Sequence, residues 1–135
     1  MGARQEIKLV LPALPDYVGV VRTALTAILN RYQASPAAIE ELKVAVCEAC
    51  TNAVRYAYPQ KTGEIEICFR LEQRNFTVII RDTGQGFNTR RPPRRPLKDE
   101  DIHLGLGLTL MRNMVDKSKI QSGVKGTTVT LVKKI

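Results

Sequence analysis

The chain has 135 residues, 44% of them hydrophobic, and a net charge of +8. This length predicts a single domain over residues 1–135, and the absence of any run of roughly 20 apolar residues predicts no membrane contact. The basic charge suggests an acidic or polyanionic partner, but aromatic residues make up only 5% and form no RNA-binding pattern, so direct nucleic-acid binding is not expected.

The first half of the chain predicts one strand and two helices. Residues Glu6–Leu11 are typical of a strand, which the prolines that follow should end. Residues Tyr17–Tyr32 carry apolar side chains at spacings of three and four, which predicts a helix with Asp16 as its N-cap. A second helix is predicted from the Ser35–Pro36 pair to about Ala57.

The second half predicts mainly strands. The predicted elements are strands at 64–71, 76–81, 119–122 and 127–133, a turn at 73–75, a loop at 88–103 and a helix at about 107–116. The strand at 76–81 is more continuously apolar than the strand at 64–71 and is expected at the centre of its sheet. This order favours an α+β fold: a two-layer sandwich in which three helices cover one face of a mixed, mostly antiparallel sheet.

The three cysteines are Cys47, Cys50 and Cys68, and an odd number argues against a disulfide scaffold. Cys47 and Cys50 form a C-x-x-C pair inside a helical pattern, and no second pair completes a zinc set. Buried thiols in a reducing cytoplasm are therefore the preferred interpretation. The sequence leaves open whether Cys47 or Cys50 has a redox role.

Glu48 and Asn52 lie four residues apart in the second predicted helix, so they share one face about one turn, roughly 6 Å, apart. The Asn oxygen suits Mg²⁺, and the Glu carboxylate could orient or deprotonate a nucleophile. A solvated polar face is the alternative interpretation. The helix is apolar nearly all round, however, and polar residues in such a helix usually need partners.

Three further motifs follow in chain order. Asp82-Thr83-Gly84-Gln85-Gly86 comes directly after the central strand, where a carboxylate could accept a hydrogen bond from an exocyclic amine. Gly105-Leu106-Gly107 precedes the third helix, where backbone N–H groups could meet phosphate. Gly126-Thr127 lies in the last strand, where a buried threonine could bond a base. Each motif alone also fits an ordinary turn, helix entry or strand.

In this order, E-x-x-x-N, D-x-G-x-G, a long loop, G-x-G and G-T resemble the Bergerat-fold superfamily of gyrase, heat-shock chaperone, histidine-kinase and mismatch-repair ATPases. Within it, the chain resembles the anti-sigma-factor serine kinases. The stretches that carry this likeness are ELKVAVCEACTNAVRYAYP, IIRDTGQGF, LGLGLTLMRNMVD and KGTTVTLVKKI, which together extend over nearly the whole chain.

The resemblance implies a cytoplasmic, ATP- and Mg²⁺-dependent serine/threonine protein kinase that is also an anti-sigma factor. Such a protein would phosphorylate a STAS-type antagonist, sequester a sigma factor and form a homodimer. Two alternatives stay open from the sequence. One is a switch that binds ATP or ADP without catalysis, and the other is a regulatory kinase that acts on a stress-signalling scaffold.

The resemblance also implies residue roles. Asn52 would hold Mg²⁺, Glu48 would be the general base, and Asp82 would bind the adenine amine with support from Thr127. Arg22 on the first helix would contact a partner protein.

The remaining implied roles belong to glycines and to the loop. Gly84 and Gly86 would shape the adenine pocket, and the Gly105-Leu106-Gly107 segment would donate to the phosphates. The loop at 88–103 would be the ATP lid. It holds Arg90, Arg91, Arg94 and Arg95, which could neutralise triphosphate or meet an acidic partner, although a solvated loop is the alternative.

Overall fold

The computed structural model describes residues 4–56, 63–84, 109–123 and 126–135. The described elements are β1 (Gln5–Pro12), a 3-10 turn (Pro15–Tyr17), α1 (Val18–Arg31), α2 (Pro36–Tyr56), β2 (Glu64–Glu72), β3 (Asn75–Asp82), a helical segment α3 at 109–114, β4 (Lys117–Gly123) and β5 (Gly126–Lys134). Each predicted helix and strand is thus present, with ends that differ by a few residues. The predicted lid at 88–103 lies outside the described residues.

The strands form one five-stranded sheet in the order β1-β2-β3-β5-β4. β3 is the middle strand, as its continuous apolar sequence predicted. The sequence predicted a mixed sheet, but every pairing between the described strands is antiparallel. The reason is that β5 turns back from β4 and lies between β4 and β3, so that the strands that run in the same direction are not neighbours.

The core lies between the sheet and the helices. Alternate residues of β2 and β3 point to one face and are buried there, which is why these strands carry apolar residues at every second position. The buried set includes Ile65, Ile67, Phe69, Phe76, Val78, Ile80, Val129 and Leu131 from the sheet, and Val21, Leu25, Leu29, Leu42, Val46 and Ala49 from the helices. Burial of each leucine-sized side chain stabilises the fold by roughly 1.5–3 kcal/mol.

The starts of the two long helices differ in chemistry. Ser35 caps α2 as predicted, because its Oγ accepts a hydrogen bond from the backbone N–H of Ala38 at 3.1 Å. The predicted cap at Asp16 is wrong: Tyr17 is the N-cap of α1 and makes no side-chain cap bond. Pro15 starts a 3-10 turn, so Asp16 already lies within helical geometry when α1 begins.

The β2–β3 hairpin turns at Gln73 and Arg74, within the turn that the sequence predicted. Both residues have positive φ, 51° and 70°, which is the geometry of the tight two-residue hairpin. The Arg74 guanidinium donates to the carbonyl oxygens of Tyr32 and Ile135, so this hairpin is tied to the end of α1 and to the end of the described chain. Across the described ranges, no helix is long and apolar enough to cross a bilayer.

Candidate nucleotide-binding site

Helix α2 packs across β2, β3 and β5, and one ion pair connects the start of α2 to the sheet. Glu41, near the start of α2, pairs with Lys133 at one end of β5. Asn52 lies eleven residues further along α2, a rise of about 16 Å, and six residues of β5 from Lys133 back to Thr127 span about 20 Å. Measured along their own elements, Asn52 and Thr127 thus lie at similar distances from this ion pair.

Asn52 is 3% exposed, and neither its oxygen nor its nitrogen has a hydrogen-bond partner among the described residues. The Oε2 atom of Glu48, one turn earlier on the same helix face, is also buried and unpartnered within that part of the chain. Leaving a buried polar group unpaired costs about 1–3 kcal/mol. A carboxylate and a carboxamide in this state fit a ligand that supplies their partners, and their oxygens suit a Mg²⁺–phosphate group.

Asp82 closes β3 on the inner face of the sheet and is 8% exposed. Its Oδ1 accepts the backbone N–H groups of Gly84 at 3.1 Å and Thr127 at 3.3 Å. Burial raises the pKa of Asp82 above its usual value, and these two hydrogen bonds act in the opposite direction. Both bonds end on Oδ1, and a carboxylate can accept at its second oxygen as well. Asp82 can therefore receive an amine of a ligand.

Thr127 lies beside Asp82 in the sheet, since the two residues are register partners of β5 and β3. Thr127 is 4% exposed, and its Oγ1 is 2.7 Å from the Oγ of Ser122 on β4. No motif in the sequence pointed to Ser122. The pattern did predict strands at 119–122 and 127–133, but placing Ser122 opposite Thr127 needed the register in which these strands pair.

Four register partners form one row across the sheet. Ile65 pairs with Asp82, Asp82 with Thr127, and Thr127 with Ser122. Ile65 is fully buried, so the row combines an apolar side chain with a carboxylate and two hydroxyls. Flat heterocycles with an amine need this combination of apolar contact and a few polar groups. The base-binding role predicted for Asp82 and Thr127 stays a prediction, and the row places its two residues side by side.

Gly126 precedes Thr127 and has a φ of 121°, a conformation that side-chain-bearing residues rarely adopt. A Cβ at this position would overlap the backbone carbonyl oxygen of Asp82 and lie 2.8 Å from the Cα of Thr83. The glycine therefore lets β5 approach the end of β3 closely enough for Thr127 to bond Asp82.

Replacing Gly126 with alanine should lower the free energy of unfolding by at least about 2 kcal/mol, because the backbone strain and the steric overlap act together. Urea denaturation of both proteins measures this change. Gly123→Ala is the matched control, since Gly123 is the register partner of Gly126 and a Cβ there meets nothing within 4 Å. Equal stability of the two variants would contradict the close-approach role.

Arg22 is exposed on α1 and lies against Cys47 on α2. Burial raises the pKa of Cys47, and the Arg22 guanidinium opposes this rise through its charge and a hydrogen bond. Arg22 thus lies beside Cys47, which directly precedes Glu48 in α2. The role of Arg22 as a partner contact stays a prediction.

The three cysteines are free thiols; Cys50 and Cys68 are buried as predicted, whereas Cys47 is only half-buried. Cys50 is fully buried, which raises its pKa to about 12 and keeps it protonated. Among the described residues, no group of three or more potential ligands could hold a metal ion through His, Cys, Asp and Glu alone. The remaining predicted site residues, Gly86, Gly105, Leu106 and Gly107, lie outside the described ranges.

A family model described as the histidine kinase-like ATPase domain matches residues 11–133. The class that the fold and the site define is therefore that of the histidine kinase-like ATPases. Serine-protein kinase RsbW of Bacillus velezensis is 38% identical over 94% of this chain and 84% of its own length, and the Bacillus subtilis protein is 37% identical over the same shares. The chain belongs to the RsbW family, the anti-sigma-factor serine kinases of this class.

Solved structures agree with the fold. The RsbU and RsbW domains of a Mycobacterium tuberculosis protein superpose with a TM-score of 0.74 at 23% identity, over 96% of this chain and 32% of that one. A blue-light activated histidine kinase domain from Erythrobacter litoralis gives a TM-score of 0.62 at 18% identity, over 92% and 61%. The chain thus spans about a third of the first structure, and both likenesses concern the fold alone.

Proposed function

We propose that this chain is an ATP-dependent protein serine/threonine kinase and anti-sigma factor that acts in the cytoplasm. It transfers the γ-phosphoryl group of ATP to a serine hydroxyl of a STAS-type antagonist, and it binds a sigma factor as a homodimer. The observation that carries the catalytic part is that Glu48 Oε2 and both side-chain polar atoms of Asn52 are buried and have no hydrogen-bond partner among the described residues. The kinship with serine-protein kinases supports the same conclusion.

Each described site residue has one task in this proposal. Asp82 accepts the adenine amine at the end of β3, and Thr127 adds a hydroxyl beside it. Asn52 holds Mg²⁺ through its side-chain oxygen, and the cation supplies charge neutralisation of the phosphates. Glu48 accepts the proton of the incoming serine hydroxyl, which makes the oxygen a better nucleophile.

A carboxylate at Glu48 favours a kinase over a passive nucleotide switch. A protein that only binds nucleotide needs Asn52 and Asp82 but no proton acceptor. In such a switch, a buried carboxylate oxygen that finds no partner among the described residues lowers the stability of the protein and has no function. In a kinase the same oxygen gains its partner when the hydroxyl of the substrate arrives.

The test is to mix the chain with γ-labelled Mg-ATP and a STAS-domain protein, and to follow label in that protein. The expected result is label on one serine of the antagonist, with none when its acceptor serine is alanine. Nucleotide binding without transfer to any antagonist of the class would leave a binding switch and overturn the kinase proposal. Light scattering, with and without a sigma factor, tests the homodimer and the complex.

Asn52→Ala should remove most of the gain in melting temperature that Mg-ATP produces over ATP with chelator. Without the side-chain oxygen, the cation loses its protein ligand, and ligand-linked stabilisation falls with the affinity. Thermal unfolding with and without Mg²⁺ measures this. Asn30→Ala, an exposed change at the end of α1, is the control and should keep the full gain. A Mg²⁺-dependent gain that survives in Asn52→Ala would assign the metal elsewhere.

A further inference from the structure

The hydroxyl of Thr127 has a neighbour in the sheet that the proposed mechanism does not use. Ser122 and Thr127 are register partners of β4 and β5, and their hydroxyl oxygens are 2.7 Å apart. On the other side of Thr127, its backbone N–H donates to Asp82 Oδ1 at 3.3 Å. A continuous line of contacts therefore runs from the edge strand through Thr127 to the carboxylate.

The direction of a hydroxyl hydrogen depends on its neighbours. A threonine hydroxyl has one hydrogen to donate and two lone pairs to accept with, and it rotates to suit its partners. Either oxygen of this pair can be the donor. If Ser122 donates, the hydrogen of Thr127 is available for a second acceptor. If Thr127 donates to Ser122, that hydrogen is used inside the protein.

A 6-aminopurine matches the first arrangement. Its amine is a donor, which Asp82 accepts, and the ring nitrogen next to that amine is an acceptor. A hydroxyl hydrogen beside the carboxylate complements this nitrogen. Thr127 is the register partner of Asp82 and is buried, so its hydroxyl is the candidate donor. The pairing between Ser122 and Thr127 decides whether the hydrogen reaches the ligand side.

We propose that Ser122 is a positioning residue for purine recognition: its hydroxyl donates to Thr127 Oγ1 and directs the Thr127 hydrogen to a ring-nitrogen acceptor of the base. This assignment rests on the proposed function, since it needs an adenine nucleotide at Asp82. It extends the base-binding site to β4, the edge strand of the sheet.

A double-mutant cycle on the full chain tests this assignment, with Ser122→Ala, Thr127→Val and the two combined. Affinity for Mg-ATP is measured by titration calorimetry. We expect each single change to weaken binding about fivefold, the usual effect of one lost hydrogen bond. The double variant should bind no more weakly than Thr127→Val alone, because Ser122 acts only through the Thr127 hydroxyl.

A rescue and a control separate positioning from general weakening of the edge strand. Ser122→Thr keeps the hydroxyl on a strand residue and should restore wild-type affinity. Ser118→Ala makes the same change four residues earlier on β4, opposite Leu131, and should stay within twofold of wild type. Melting temperatures without nucleotide identify any variant whose fold has changed.

Two results would overturn the assignment alone: an affinity of Ser122→Ala within twofold of wild type, or effects that multiply to about 25-fold in the double variant. If Ser122 had only a structural role, independent of the Thr127 hydroxyl, the two effects would multiply in this way. A wild-type chain that binds no adenine nucleotide would instead overturn the proposed function together with this extension.

Discussion

Glu48→Gln should lower the rate of phosphoryl transfer to the antagonist by about 100- to 10,000-fold, the usual range for loss of a general base. Glutamine has nearly the same size and can still form hydrogen bonds, but its amide cannot accept the proton of the serine hydroxyl. The affinity for Mg-ATP should stay within about threefold, since Asp82 and Asn52 are intact.

Single-turnover transfer of label, at saturating nucleotide and antagonist, measures this rate directly. Glu40→Gln is the matched control, because Glu40 lies on the same helix and its side chain is exposed beside Lys43. That variant should transfer label at the wild-type rate. Transfer by Glu48→Gln at more than about a tenth of the wild-type rate would remove Glu48 from the base role.

Asp82→Asn should weaken binding of adenine nucleotide by about 100-fold. The asparagine oxygen can keep the two backbone N–H groups of Gly84 and Thr127, which now bond Oδ1. The amide nitrogen then replaces the second carboxylate oxygen and places a donor against the donor amine of adenine. Calorimetric titration with Mg-ATP measures the loss.

Asp116→Asn is the control for this change. The Asp116 carboxylate also accepts a backbone N–H, that of Lys134, but it lies where α3 leads into β4, outside the row of site residues. The affinity of the Asp116→Asn variant for nucleotide should equal that of wild type. Binding by Asp82→Asn within about threefold of wild type would remove Asp82 from the base-binding role.

Comparison of wild type with Asp82→Asn should show that the Asp82 carboxylate lowers the stability of the nucleotide-free protein at higher pH. Burial raises the pKa of Asp82 in the folded state. A raised folded pKa means that the folded protein holds its proton more tightly than the unfolded chain, so this contribution to stability is present at low pH. It is lost as the pH rises through the folded pKa.

The unfolding free energy of wild type, relative to Asp82→Asn, should therefore fall over this pH interval. Urea denaturation of both proteins at a series of pH values checks the sign, and a relative stability that rises with pH would contradict it.

Much of the fold could be predicted from local patterns. Apolar spacing located both long helices, and alternation located β2, while Ser35–Pro36 predicted the start of α2. These features depend on residues that are close in sequence, so they can be predicted from short stretches of the chain. The N-cap of α1 was mispredicted because a 3-10 turn begins at Pro15 and already includes Asp16.

The sheet pairing could not be predicted in the same way. Whether β5 pairs with β3, and so separates β3 from β4, depends on contacts between residues about fifty positions apart. The pattern of each strand is compatible with either a mixed or an antiparallel sheet. Burial of the inner faces against α2 selects one arrangement.

By itself, the sequence determined the kind of elements, their order and the family to which the chain belongs, because motif spacing and apolar periodicity are local properties. Only the tertiary structure decided which polar groups meet. Among the described residues it leaves Asn52 buried and without a hydrogen-bond partner. It also places Thr127 beside Asp82, which the positive φ of Gly126 permits, and it brings Ser122 against Thr127. The physical reason is that hydrogen bonds across a sheet depend on register, and register is set by the packing of the whole inner face.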